Sequence, residues 1–119
     1  MERVTGIGGF FFRARDPEAL ALWYQQNLGV DPVPKDATLR PWHAAEGIVV
    51  FAPFANDTDY FPADRHFMLN FRVADLDRML GQLRAAGIAV SHEMTMDGIG
   101  RFARIHDPEG NPIELWEPP

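Results

Sequence analysis

The feature that most constrains the fold of this 119-residue chain is a pattern of residues that occurs twice. Residues 9–16 align with residues 68–75 at a constant offset, and residues 48–53 align with residues 113–118. Such a repeat indicates two copies of one supersecondary unit that share a core. We therefore predict a single domain spanning residues 1–119, made of modules at about 1–58 and 64–119.

Each module is predicted to begin with a strand and a helix. Short apolar runs at 7–15 and 66–73 have the length and composition of strands. Asp16 and Asp75 follow them as helix N-caps, and Gly29 and Gly87 mark the helix ends. Further strands are predicted at 48–54, 88–94, 101–105 and 112–116. The expected fold class is α+β, with two βαβββ modules that form a curved mixed sheet of about eight strands around a cup and carry their helices on the outer face.

Composition excludes several classes of function. The net charge is −6 and no run of Lys or Arg is present, so we expect no nucleic-acid partner. The absence of cysteine excludes disulfides and thiolate metal sites. No apolar stretch reaches the roughly 20 residues of a membrane helix, and the first residues do not have the pattern of a signal peptide. We expect a cytoplasmic protein with no membrane partner.

Three segments carry a resemblance to a known family. They are Arg-Asp-Pro-Glu-Ala-Leu at 15–20, Phe-Arg-Val-Ala-Asp-Leu-Asp at 71–77, and Asp-Pro-Glu-Gly-Asn-Pro-Ile-Glu-Leu at 107–115. The chain resembles the vicinal-oxygen-chelate superfamily, which contains glyoxalases, bleomycin-resistance proteins and ring-cleaving dioxygenases, and in particular its small bacterial glyoxalase-like members. The resemblance covers nearly the whole chain and is weakest between residues 31 and 47.

The alternation of side chains along strands predicts which residues face the cup. In the first strand Phe10 and Phe12 are placed on the helix side, which leaves the intervening residues inside. The residues predicted to line the cup and contact a ligand are Phe11, Arg13, Phe51, Met68, Asn70, Arg72, Arg104 and Trp116, with Glu114 as the candidate catalytic residue.

Metal-using members of the family hold a divalent ion at four positions of the cup. The resemblance places these positions at Gly9, Val49, Met68 and Glu114, of which only Glu114 is a plausible ligand for a hard or borderline ion. We therefore expect no metal and no other cofactor. The alternative is a displaced site that combines Glu114 with His66, although the favoured interpretation of His66 is a solvent-bonded residue at the rim. His43, His92 and His106 are predicted to be ordinary surface or turn residues.

The other cup residues allow more than one interpretation. Arg13, Arg72 and Arg104 could together hold a carboxylate or phosphate of a ligand, or they could pair with neighbouring acids such as Glu114. Aromatic residues in loop-like stretches could form a lid, or could be core or dimer contacts. These residues are Trp42, Phe54, Tyr60 and Phe61.

The sequence supports three hypotheses for function. The first is a small-molecule binding protein of the glyoxalase/bleomycin-resistance type that holds a small aromatic or anionic ligand without the family metal. The second is a glyoxalase-like lyase, isomerase or dioxygenase with a displaced metal site. The third is a metal-free enzyme that uses Glu114 as acid or base. A homodimer is expected in each case, and the sequence names neither the ligand nor a reaction.

Overall fold

A computed structural model of the chain describes residues 1–119 and contains two helices and four strands. In chain order the elements are α1 (Pro17–Leu28), β1 (Leu69–Arg72), α2 (Leu76–Ala85), β2 (Ser91–Met96), β3 (Gly100–His106) and β4 (Pro112–Glu117). Neither helix has the length and apolar character needed to cross a membrane.

Both helices begin where local chemistry predicts, and α1 also ends where it predicts. The Asp16 side chain accepts a hydrogen bond from the Ala19 amide at 3.2 Å, and Asp75 accepts one from the Arg78 amide at 3.0 Å. Gly29 ends α1 at a φ of 71°, in the left-handed region that glycine adopts without strain. The two N-caps and the end of α1 at Gly29 are therefore confirmed.

The strands form one mixed sheet in the order β1-β4-β3-β2. β1 runs parallel to β4, with Leu69 opposite Ile113, while β3 runs antiparallel to both of its neighbours. One face of this sheet packs against both helices, because Leu20 of α1 and Leu80 of α2 share a buried cluster with Ile113 and other strand residues. The α+β class, the mixed sheet and the helices on one face agree with the sequence prediction.

The expectation of about eight strands is wrong for this structure, because strands form only in the second module. The segments 7–15 and 48–54 contain no strand and make no backbone–backbone hydrogen bonds. Their apolar side chains are also largely open, with Phe11 92% and Phe51 82% exposed. A strand requires a hydrogen-bonded neighbour, and no other segment of the chain lies beside these two in that way.

The turn between β3 and β4 fastens α1 to the sheet. Asp107 is buried and accepts hydrogen bonds from the Tyr24 hydroxyl at 2.7 Å and from the Asn111 side chain at 2.8 Å. The Glu109 carboxylate accepts from the amides of Arg15 and Asp16 at 2.6 and 3.1 Å, immediately before α1. The Asp-Pro-Glu-Gly-Asn segment is therefore a structural joint, and it fixes the turn from which β4 starts.

Candidate functional site

The candidate site is centred on Glu114, in the middle of β4 on the sheet face opposite the helices. Ile113 and Leu115 point into the core, so the alternation of β4 turns Glu114 and Trp116 to the other face. Glu114 is only 8% exposed, and one of its carboxylate oxygens accepts a hydrogen bond from the Asn70 side chain at 2.8 Å. The parallel register of β1 and β4 places Asn70 directly opposite Glu114.

The second carboxylate oxygen of Glu114 accepts a hydrogen bond from the hydroxyl of Tyr60. Tyr60 belongs to the irregular connector between the two modules, so a side chain from a loop closes over a residue on a strand. Desolvation, reinforced by the hydrogen bond to the Glu114 carboxylate, raises the pKa of Tyr60 to about 12. The phenol is therefore protonated at neutral pH and is the donor in this pair.

Arg104 forms the third side of the site. It lies opposite Glu114 in the antiparallel pairing of β3 and β4 and is only 3% exposed. Its guanidinium lies over the Tyr60 ring at 5.4 Å from the centroid, and Nη2 donates to the Tyr60 carbonyl at 2.8 Å. The Nε–H of Arg104 is buried and has no hydrogen-bond partner, which leaves a donor unused beside Glu114.

Aromatic side chains make the walls around this polar group. Trp116 stacks on Phe102 with centroids 6.2 Å apart and rings nearly parallel at 5°, and its indole N–H donates to the Ile99 carbonyl at 2.9 Å. Phe54 packs against Tyr60, with ring centroids 5.6 Å apart. The site is thus a charged and hydrogen-bonding centre in an aromatic surround, as in many small-molecule sites.

The structure brings together only some of the residues predicted to line the cup. Asn70, Arg104, Glu114 and Trp116 share one face of the sheet. Arg72 lies on this face too, but its guanidinium donates to the carbonyls of Ala45 and Ile48 at 2.8 and 3.1 Å. The three predicted residues that belong to the first module are exposed on segments without strand partners, namely Phe11, Arg13 and Phe51.

Met68 lies outside this group of residues and lines a neighbouring pocket of about 500 Å³. Phe54 and Phe61 also line this pocket, so it borders the aromatic side of the site. A second pocket of about 450 Å³ lies along α1 between Arg15 and Trp23. Neither pocket includes Glu114, whose carboxylate accepts the hydrogen bond from the Tyr60 hydroxyl.

The residues at the family's metal positions do not fit a divalent ion. Gly9 and Val49 offer no donor atom, Met68 offers only a thioether, and both oxygens of Glu114 are engaged by Asn70 and Tyr60. His66, the candidate for a displaced site, is exposed. No group of three or more His, Asp or Glu side chains in the chain is arranged to hold a metal ion.

Tyr60 is the residue whose role sequence reasoning did not identify. The sequence predicts it only as one of four aromatic candidates for a lid, and nothing in its local sequence distinguishes it from Phe54 or Phe61. Trp42, the fourth candidate, packs on Phe71 with ring centroids 6.3 Å apart. Phe71 adjoins the core on the helix side of the sheet, so Trp42 lies away from Glu114.

Comparison with known proteins shows the family. The glyoxalase-like domain family matches residues 9–116, so the chain belongs to that family. No curated protein matches the chain.

Solved structures with the same fold include proteins with quite different described roles. TnmS3, an antibiotic binding protein from a Streptomyces species, is 23% identical over 100% of both chains, with a TM-score of 0.69. A lactoylglutathione lyase from Agrobacterium tumefaciens is 21% identical over 98% of this chain and 96% of its own, with a TM-score of 0.66. A member of the glyoxalase/bleomycin resistance protein/dioxygenase superfamily from Sphaerobacter thermophilus is 20% identical over 87% and 90%, with a TM-score of 0.54. These likenesses establish the glyoxalase-type fold, and the fold alone hosts both binding and catalysis.

Proposed function

We propose that this protein is a small-molecule binding protein that holds an aromatic ligand against Glu114 and Arg104 without a metal ion. The observation that carries the proposal is the buried Arg104 guanidinium, whose Nε–H has no partner in a site walled by Trp116 and Phe102. A buried donor without an acceptor costs free energy. A bound molecule with a carbonyl or similar acceptor removes that cost.

The charges of the site favour an aromatic ligand over a strongly anionic one. Arg104 is the only one of the three predicted arginines opposite Glu114, so the one guanidinium there is paired in the sheet with an acidic residue. Arg72 is committed to backbone carbonyls, and Arg13 is exposed. A clamp of three arginines around a phosphate or carboxylate is therefore not assembled.

TnmS3, which shares the fold over its whole length, is described as an antibiotic binding protein. By analogy, we infer that a glyoxalase-type cup in this chain serves binding and sequestration rather than metal-dependent catalysis. The cytoplasmic location expected from the sequence belongs to the same proposal.

Isothermal titration calorimetry with 2-acetylnaphthalene tests the proposal, because this probe is planar, neutral and carries one carbonyl acceptor. The protein is first dialysed against a chelator. We expect saturable binding by the wild type and binding at least about tenfold weaker in Arg104→Met, because a hydrogen bond to a charged group is worth about 1.5–3 kcal/mol. Arg101→Met is the matched control, since Arg101 lies on the same strand but pairs with Asp77 at the surface.

Failure of the wild type to bind, or binding that appears only when a divalent ion is added back, would count against the proposal. Circular dichroism of both variants excludes loss of the fold as the cause of weak binding.

A second candidate function is a metal-free enzyme in which Glu114 moves a proton. The observation in its favour is the direct contact between the Tyr60 hydroxyl and the Glu114 carboxylate, which pairs a donor with an acceptor inside an aromatic site. Glu114→Gln separates the two functions. Conversion of a bound compound that stops in this variant while binding persists would favour the enzyme.

We further propose that the protein works as a homodimer. In the second module β1 and β4 pair in parallel, with Leu69 opposite Ile113. The internal repeat maps these residues onto Phe10 and Ile48, yet the equivalent pairing is missing from the first module. The radius of gyration is 15.3 Å, against about 13.5 Å expected for a compact domain of this length.

A second copy of the chain is the occupant that best suits the exposed first module. It brings the same apolar segments and the same open sheet edges, so that strand pairing and burial are gained together. Analytical ultracentrifugation is expected to give a dimer for the wild type and a monomer for Phe51→Glu, while Leu22→Glu on exposed α1 stays dimeric. A monomeric wild type would refute the dimer.

A further inference from the structure

The Tyr60 side chain occupies the centre of the candidate site in the way that a ligand would. Its hydroxyl donates to Glu114, its ring lies under the Arg104 guanidinium, and Phe54 packs against it. These contacts satisfy both ends of a phenol, because the ring meets a cation and an aromatic face while the hydroxyl meets a carboxylate.

The fold holds Glu114 and Arg104 more firmly than it holds the phenol of Tyr60. Glu114 and Arg104 lie on paired central strands and are buried, whereas Tyr60 lies in a connector without helix or strand. Apart from the contacts with the site, the connector holds Tyr60 by a single local hydrogen bond, from its amide to the Thr58 hydroxyl at 3.2 Å. The Tyr60 side chain, which lies on a loop, can therefore leave the site while the strand residues keep their geometry.

We propose that Tyr60 is an internal stand-in and that the anchor formed by Glu114, Asn70 and Arg104 recognises phenolic ligands. The proposal rests on the small-molecule function above and names the chemical class of its ligand. When Tyr60 leaves, Glu114 loses a donor and the Arg104 guanidinium loses the aromatic ring beneath it. A ligand with an aromatic hydroxyl replaces both, and a carbonyl elsewhere on the same molecule reaches the unused Nε–H of Arg104.

A plain aromatic ring satisfies only part of this anchor. It would leave Glu114 with a buried oxygen that has lost its donor, which is unfavourable. An aliphatic alcohol supplies the donor but not the face for the guanidinium. The anchor is therefore expected to rank phenols above both classes of compound.

The test is a chemical rescue with p-cresol, which is the tyrosine side chain cut at its β-carbon. In Tyr60→Gly the space of the phenol is open, and p-cresol is expected to raise the thermal midpoint in a concentration-dependent way. Toluene has the same shape without the hydroxyl and is expected to bind about tenfold more weakly or worse. In the double variant Tyr60→Gly with Glu114→Leu, the preference for p-cresol over toluene is expected to disappear.

A second measurement keeps the proposal testable if Tyr60→Gly does not fold. The chain has only two tyrosines, Tyr24 and Tyr60, so ring-labelled tyrosine gives two NMR signals that Tyr60→Phe assigns. In the wild type, p-cresol is expected to move the Tyr60 ring signal toward that of exposed tyrosine, whereas toluene leaves it in place and Tyr24 does not respond.

Equal effects of p-cresol and toluene, or none from either, would overturn the phenol anchor. If 2-acetylnaphthalene still binds the wild type in that case, only the inference about phenols fails. If it does not bind either, the proposed function fails with it.

Discussion

The hydroxyl of Tyr60 donates a hydrogen bond to the carboxylate of Glu114, across 54 positions of the chain. The contact joins the connector between the modules to the middle of β4, and Arg104 lies over the same ring. One loop residue thereby closes the polar centre of the site, and the pair defines what has to move for a ligand to enter.

The two tyrosines are predicted to ionise unusually late. Desolvation raises the pKa of Tyr24 well above its ordinary range, with help from Asp107, and the pKa of Tyr60 to about 12. A spectrophotometric titration at 295 nm should therefore show no phenolate step near pH 10 in the folded chain. Ionisation of both tyrosines near pH 10 would contradict the environments described for Tyr24 and Tyr60. Ionisation of one tyrosine near pH 10 that disappears in Tyr60→Phe would contradict only the contact between Tyr60 and Glu114.

The same shift makes stability depend on alkaline pH. An acid whose pKa is higher in the folded than in the unfolded chain keeps its proton on folding. The stability that Tyr60 contributes is thus present below pH 10 and is lost as the pH rises through about 12. Urea denaturation should show that the free energy of unfolding falls more steeply with rising alkaline pH in the wild type than in Tyr60→Phe. The same pH dependence in both proteins would count against this prediction.

Removal of the hydroxyl should lower the free energy of unfolding more at Tyr24 than at Tyr60. Tyr24 and Asp107 are 6% and 4% exposed, and their 2.7 Å hydrogen bond fastens α1 to the sheet. We expect Tyr24→Phe to lower the free energy of unfolding by about 2 kcal/mol and Tyr60→Phe by about 1 kcal/mol or less. Urea denaturation checks the order, and a larger loss in Tyr60→Phe would show that Tyr60 is a core residue.

Glu109 is predicted to hold the start of α1 from the opposite end of the chain. Its carboxylate accepts from the Arg15 and Asp16 amides, so Glu109→Ala should speed hydrogen exchange at these two amides and cost about 1–2 kcal/mol. Glu93→Ala is the control, because its ion pair with Arg84 is exposed and should contribute almost nothing. Unchanged hydrogen exchange at these amides in Glu109→Ala would contradict the role of Glu109 in holding the start of α1.

The fold of the second module was predictable because its signals are local. Asp75 caps a helix wherever it precedes an apolar run at helical spacing, and the alternation of Ile113, Glu114 and Leu115 sets the face of each side chain. The first helix was predictable for the same reason, because Asp16 and Pro17 precede apolar residues at helical spacing. The strands of the first module could not be judged in this way, because the pairing of Phe10 and Ile48 depends on neighbours that no local pattern specifies.

The site was predictable only on its strand side. Asn70, Arg104, Glu114 and Trp116 follow from alternation along strands whose register the structure supports. Tyr60 did not follow, because a loop residue has no periodicity, and its position depends on the whole path of the connector. The placement of Arg13 in the cup rests on alternation along a first strand, and this structure does not contain that strand.

The most direct test of the central claim, that the Glu114 face binds an aromatic ligand without metal, is a titration followed by NMR at the tryptophan indoles. The chain has three tryptophans, and only Trp116 lies on this face. Trp23 lies on α1 beside Tyr24, and Trp42 packs on Phe71. With 2-acetylnaphthalene added in the presence of a chelator, the account predicts a saturable shift of the Trp116 indole signal, assigned through Trp116→Phe, and little change in the other two. A shift confined to Trp23 or Trp42, or no saturable shift at Trp116, would contradict it.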